Sequence, residues 1–231
     1  MELTKISTER RTLGDQVYSY LRELIITLQL KPGQMVYENE LANSLDVSRT
    51  PIREAFRMLL SEEFIEILPQ RGARIAHISK RKVEEAWFVR TCLEASAFKE
   101  AAKRWNSEDA KCKLLQEEVT RIIEAQKNAE LADFYRLDEE FHLKMLKFSD
   151  NNTLITLIMQ MRGHINRIIY LELQETKNTQ HVQSIISDHE QILRAVTSND
   201  IAETEKMLTE HLNRFPYNFS KLIENYPDYF C

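Results

Sequence analysis

Four glycines serve all 231 residues, and three of them, Gly14, Gly33 and Gly72, lie in the first third. Glycine turns a chain sharply without steric cost, so tight turns are expected early and long uninterrupted elements later. With only five prolines and abundant Leu, Glu, Lys and Ala, those long elements should be helices. A hydrophobic fraction of 43% beside 29% charged residues suffices to bury a core, and the length leans towards two small domains.

Composition also narrows the function classes. No run reaches the roughly eighteen apolar residues of a membrane span. The opening "MELTKISTERR" lacks the apolar segment of a secretory signal, so a cytoplasmic protein is expected. Cys92, Cys112 and Cys231 are odd in number and without CxxC spacing, which gives neither a disulfide framework nor a cysteine zinc site. A net charge of -5 argues against indiscriminate coating of nucleic acid but leaves room for a local basic patch.

The first third reads as helix, helix, helix, hairpin. "LGDQVYSYLRELIITLQL" carries Val17, Leu21, Leu24, Ile25 and Leu28 at helical spacing and should end at "KPG". "ENELANSLDV" is a short second helix. A third starts near Thr50, with Pro51 in its first turn and an apolar face of Ile52, Ala55, Phe56, Leu59 and Leu60. "FIEILPQRGARIAHI" alternates about a "PQRG" turn, the pattern of a two-stranded hairpin. Three helices and a hairpin make a winged helix-turn-helix, expected over residues 1–78.

In "DVSRTPIREAFRMLL" the polar side of the third helix combines Ser48, Arg49, Thr50 and Arg53 at its N-terminal end, where a recognition helix meets base edges and phosphates. Arginine's planar fork donates to O6 and N7 of guanine together. Arg71 at the hairpin tip and Arg74 would approach the DNA backbone or minor groove. Arg57 is read instead as a surface residue paired with Glu54 or Glu62.

From Ser79 onward no strand signal appears. Six helical segments follow, with Ser107, Asn151 or Asn152, and Asp200 with Glu203 as start signals. Short joints favour antiparallel neighbours, so residues 79–231 are expected to form an all-α antiparallel bundle of about six helices. The fold class is thus mostly α.

The stretch from "ENELANSLDVSRTPIREAFRMLLSEEF" to "RGARIA" resembles the DNA-binding domain of the GntR family of bacterial transcription regulators, over roughly Leu13 to Ile78. That resemblance implies DNA contacts from Ser48, Arg49 and Arg53, and from Arg71 and Gly72 of the wing. Where the family often has arginine in the second helix, this chain has Asn39.

Asp138 and His142, four residues apart, leave one helix face about 40° from each other. His189 lies about nine residues before the joint at Ser198–Asp200 and His211 about eleven after it, which puts both about 14 to 16 Å from the turn at 1.5 Å per residue. In an antiparallel hairpin they are level, so the geometry permits a site for one cation without requiring it. A carboxylate and three imidazoles suit a divalent ion, Zn, Ni or Mn, with a position left open.

The second domain resembles the FCD-type effector domain of the FadR subfamily of GntR regulators. Its metal-binding members carry D-x-x-x-H, then histidines in "(D/E)H" and "M-x-x-x-H-L" settings; here these fall on Asp138, His142, His189 and His211. By the same comparison His77, His164 and His181 are not ligands. The subfamily's R-x-x-x-E falls on Arg90 and Glu94 and implies a small organic acid held by Arg90 and the metal, while an intrahelical Arg90–Glu94 pair explains the same two residues. Pro216 should kink or end the last helix.

The expectation is a homodimeric, ligand-responsive regulator, a repressor, that binds a double-stranded DNA operator without a membrane partner. The rival is a metal-dependent enzyme using the open site, for which Glu139, Glu140 and Asp188 offer acids by proximity alone. A third possibility is a metal that only locks the bundle.

Overall fold

Helix α1 (Leu13–Ile26) starts on a reciprocal cap: Thr12 Oγ1 accepts from the Asp15 amide at 3.1 Å, and Asp15 accepts from the Thr12 amide at 3.0 Å. In this computed structural model, residues 12–176, 179–214 and 219–231 are described. The chain divides into two units, the first ending at His77 and the second running from Ile78 to Cys231.

In the first unit α1 stops at Ile26, short of "KPG", because Leu28 takes a left-handed backbone at φ 56°. β1 (Met35–Val36), α2 (Glu38–Ser44), α3 (Arg49–Ser61), β2 (Ile65–Leu68) and β3 (Gly72–Ile75) follow. The hairpin is as read, but the sheet has a third strand. Its order is β1-β3-β2, with Met35 opposite Arg74 and Leu68 opposite Gly72. Two residues are too few for β1 to show an alternating pattern.

α3 buries Ile52, Ala55, Phe56 and Leu59 against Val17, Leu21 and Ile25 of α1 and against Phe64, Ile65, Ala73 and Ile75. Leu60, assigned to that face by spacing, is exposed. Gly72 is required by two independent facts. Its φ is 93°, and a Cβ there would stand 2.8 Å from the Tyr37 ring and 2.9 Å from the Val36 carbonyl oxygen.

The second unit holds the six expected helices: α4 (Lys80–Arg104), α5 (Ala110–Gln126), α6 (Leu131–Phe148), α7 (Asn152–Thr176), α8 (Thr179–Thr197) and α9 (Ile201–Asn213). A short α10 (Phe219–Asn225) and a 3-10 turn, Pro227–Tyr229, complete the described tail. The kink expected at Pro216 lies outside the described residues. Among these residues no helix is long and apolar enough to cross a membrane.

α4 is the hub, packed against α6, α7, α8 and α9. Ala86, Ala97, Ala101 and Ala102 let those neighbours approach, and the same helix buries Arg90 and Glu94. Asp109, not Ser107, caps α5 by accepting from the Lys111 and Cys112 amides. Asn151 caps α7, and Asp200 caps α9 through the Glu203 amide. The α8–α9 joint turns on Asn199 at φ 58°, whose side-chain amide donates to the Ala102 and Trp105 carbonyl oxygens of α4's end at 2.9 and 2.7 Å.

Candidate metal centre and nucleic-acid interface

In the first unit, Ser48 is the N-cap of α3 but makes no side-chain cap bond, leaving its hydroxyl available at a positive helix end. Thr50 is exposed beside it. Arg49 and Arg53, each 54% exposed, both bond to one oxygen of Glu38 at the start of α2, at 3.0 and 2.8 Å. With Gly72 of the wing these side chains line a cleft of about 390 Å³. Arg71 is exposed at the wing tip, its amide closing the turn onto the Leu68 carbonyl oxygen at 2.9 Å.

Arg74 and Arg57 are placed differently. Arg74 is held across the sheet by its strand partner Glu66 at 2.6 Å. Arg57 pairs with neither Glu54 nor Glu62, because Glu62 is taken by Arg22 and Tyr18 from α1. Glu38 was not foreseen: it stands eleven and fifteen residues from its arginines, separations that leave no local pattern.

In the second unit α6 supplies Asp138 and His142, α8 supplies His189 and α9 supplies His211. One ligand atom from each lies within 4.8 Å of the others, and all four residues are buried. Each imidazole has a carboxylate or amide oxygen close to its Nδ1. His142 Nδ1 stands 2.8 Å from Glu94 Oε2, His189 Nδ1 is 3.0 Å from Gln126 Oε1, and His211 Nδ1 is 3.3 Å from Asp188 Oδ2. Asp188 is itself held by Arg214 at 2.9 Å.

An oxygen close to each Nδ1 favours the proton there, which turns each Nε2 lone pair inward. His142 Nε2 and His211 Nε2 then face each other at 3.2 Å, and His189 Nε2 faces Asp138 Oδ1 at 3.5 Å. Lone pairs so close repel unless a cation lies among them. Two nitrogens each about 2.0–2.1 Å from a tetrahedral ion are about 3.3 Å apart, so the donor set fits a metal. Burial keeps His142 and His189 neutral, as ligands must be. It lowers His142 to about 4 despite Glu94, and it pushes His189 well below its ordinary value, helped by His211 and His142. Phe141 stacks on the His189 ring at 3.9 Å.

Glu94 is fully buried, which alone would raise its carboxyl, but Arg90, His142 and Arg162 hold it well below the usual range. Arg90 Nε bonds Glu94 Oε1 at 2.7 Å, so the intrahelical pair exists. Arg90 also walls a mostly apolar cavity that reaches Asp138, His142 and His211. Its water-accessible volume is about 50 Å³, room for a few waters or one small ligand when a single water needs about 10–15 Å³. His181 lies on that wall but outside the cluster. Of the other acids, Glu139 accepts from Asn166 and Glu140 is exposed. Gln126 carried no sequence signal as a partner of His189.

The profile of the bacterial regulatory proteins of the gntR family matches residues 13–75, and that of the FCD domain matches residues 85–214. This chain is a GntR-family regulator with an FCD domain. A regulator in an unstable DNA locus of Streptomyces ambofaciens is 28% identical to it, covering 97% of this chain and 92% of that protein. The transcriptional repressor RspR of Escherichia coli K12 is 26% identical, covering 94% and 93%. In fold, the GntR regulator is similar to Escherichia coli McbR/YncC, with a TM-score of 0.77 at 24% identity over 94% of this chain and 99% of that one. These are families of transcription regulators, which decides against the metal-dependent enzyme.

Proposed function

We propose that this GntR regulator is an operator-binding repressor whose DNA affinity is set by a small organic acid bound at a divalent cation. Asp138, His142, His189 and His211 hold the cation. One observation supports the reading: three imidazoles, each with an oxygen close to its Nδ1, converge with one carboxylate beside a cavity walled by Arg90. Zn, Ni and Mn each accept such donors. When bound, the ion supplies a Lewis-acidic position for a carboxylate oxygen.

The chain's own residues do the rest. Arg90, its Nε held by Glu94 and its guanidinium 5.3 Å over the Trp87 ring, offers a pre-oriented fork to the acid. Ile169, Leu173 and Ile185 give the cavity apolar walls and limit the acid's size. Asp138, His142 and His211 all border the cavity, which favours an ion open to ligand over one that merely locks the bundle.

On the DNA side, Ser48, Arg49, Thr50 and Arg53 enter the major groove, with Arg71 and Gly72 of the wing beside it. A homodimer joined through the helical unit reads the two half-sites of a palindrome. The repressor named among the relatives supports the sign of control. A coupling of about 1–3 kcal/mol between acid and DNA suffices for regulation.

The test begins with selection of binding sites from a random DNA pool at near-physiological salt, followed by metal analysis and titration of the operator complex with small acids. A palindrome should emerge, Arg53→Ala should lose it without unfolding, and His189→Ala should lose metal and acid response together. Metal content in His189→Ala equal to the parent's would overturn the centre; an unchanged operator affinity in Arg53→Ala would overturn the DNA face.

A further inference from the structure

Glu38 opens α2, and its Oε2 alone accepts from both Arg49 Nη2 and Arg53 Nε. One oxygen shared by two guanidinium groups ties both arms of α3 to a fixed point. The bond through Arg53 Nε leaves that residue's two terminal nitrogens for a base edge, and Arg49 keeps its Nε and its other terminal nitrogen. The Glu38 side chain is 29% exposed and closes one side of the cleft between α3 and the wing.

Its partial burial would raise the carboxyl, but hydrogen bonds and charges from Arg49 and Arg53 hold it below the ordinary range. The group is therefore an anion wherever DNA binding is measured. An anion on a DNA-facing surface lowers affinity for any duplex, since every phosphate repels it. A surface built only to grip DNA would omit it, whereas one built to read sequence uses it to restrict where its arginines point.

We propose that Glu38 is a specificity-determining positioning residue: it aims Arg49 and Arg53 and cancels part of their charge, so that discrimination rises while sequence-independent binding falls. This rests on the reading that Arg49 and Arg53 contact DNA. Two variants separate the two halves of the role. Glu38→Gln keeps the size and removes the charge. Glu38→Asp keeps the charge but is one methylene too short to hold both arginines in their present places.

The experiment measures the affinity of the full chain for its selected operator and for an unrelated duplex of equal length, across a salt series, in parent, Glu38→Gln, Glu38→Asp and Arg53→Ala proteins. In Glu38→Gln the non-operator affinity should rise about fivefold at 0.15 M salt, with a log–log salt slope steeper by about 0.9. Its operator to non-operator ratio should fall about tenfold or more. Glu38→Asp should keep the parent's salt slope and non-operator affinity yet lose discrimination. A parent-like ratio in both Glu38 variants, with Arg53→Ala impaired, would overturn the role of Glu38 and leave the DNA face standing. Loss of discrimination in Glu38→Gln but not in Glu38→Asp would overturn the positioning half. An unimpaired Arg53→Ala would overturn the DNA face itself, and this proposal with it.

Discussion

Replacing Gln126 by Leu should weaken metal binding although Gln126 is not a ligand. Gln126 is 1% exposed and His189 is fully buried, so no water takes the place of the lost acceptor 3.0 Å from His189 Nδ1. With metal on Nε2 the proton must stay on Nδ1, and leaving that donor unpaired costs about 1–3 kcal/mol. The metal-free protein escapes this penalty by moving the proton to Nε2, where Asp138 Oδ1 lies 3.5 Å away. The difference falls on affinity, a loss of about 10- to 100-fold. Gln126→Glu should act in the opposite direction, since a carboxylate behind the imidazole raises its basicity, and metal should bind more tightly even where the metal-free fold is weakened. Competition against a chromogenic chelator at fixed pH reads both. Equal losses in the two variants, or none in Gln126→Leu, would refute the argument that Nδ1 acceptors set the centre.

Three further outcomes are expected. Gly72→Ala should destabilise the first unit by about 1–3 kcal/mol through backbone strain alone, with the overlap against Tyr37 and Val36 adding to it; urea unfolding with operator binding checks this, and a parent-like midpoint refutes it. Tyr18 is raised to about 12 by burial and by its bond to Glu62, so it stays protonated while the unfolded tyrosine ionises near 10. The unfolded state then holds fewer protons between pH 10 and 12, and stability must fall as pH rises through that window; absorbance titration of parent against Tyr18→Phe should show the missing phenol ionising late, and a step near 10 would contradict it. Adding metal at about a hundred times its Kd should stabilise the second unit by about 2.7 kcal/mol, and chelator should reverse this in a thermal melt; a melt indifferent to both would count against a bound ion.

What was legible in the sequence was what local spacing encodes. α3 announced itself through Ile52, Ala55 and Phe56 on one side and Arg49 with Arg53 on the other, because one helix carries the whole pattern. Asp138 and His142 shared a face for the same reason, and the α8–α9 joint allowed His189 and His211 to be set level. Partners from distant elements were not legible. Glu38 and Gln126 owe their roles to tertiary neighbours, Asp188 was named only as an acid beside His189 while its bond to His211 comes from the fold, and the Glu62 partner expected for Arg57 is taken by Arg22 and Tyr18 of α1. β1 was invisible because two residues make no period, and α5 starts on Asp109 because its carboxylate reaches two amides.

Asn199 joins the two histidine-bearing helices where a glycine would be the common choice. A glycine there would give the unfolded chain more conformations to lose, so the asparagine makes a stiffer hinge at lower entropic cost. Its amide also ends α4, the helix that carries Arg90 and Glu94, by taking two of its last carbonyl oxygens. The hinge between His189 and His211 and the end of the helix behind His142 are therefore one mechanical joint, and any slack there would be felt as misregistration of nitrogens about 15 Å away, on the order of 1.5 Å for each residue of slip.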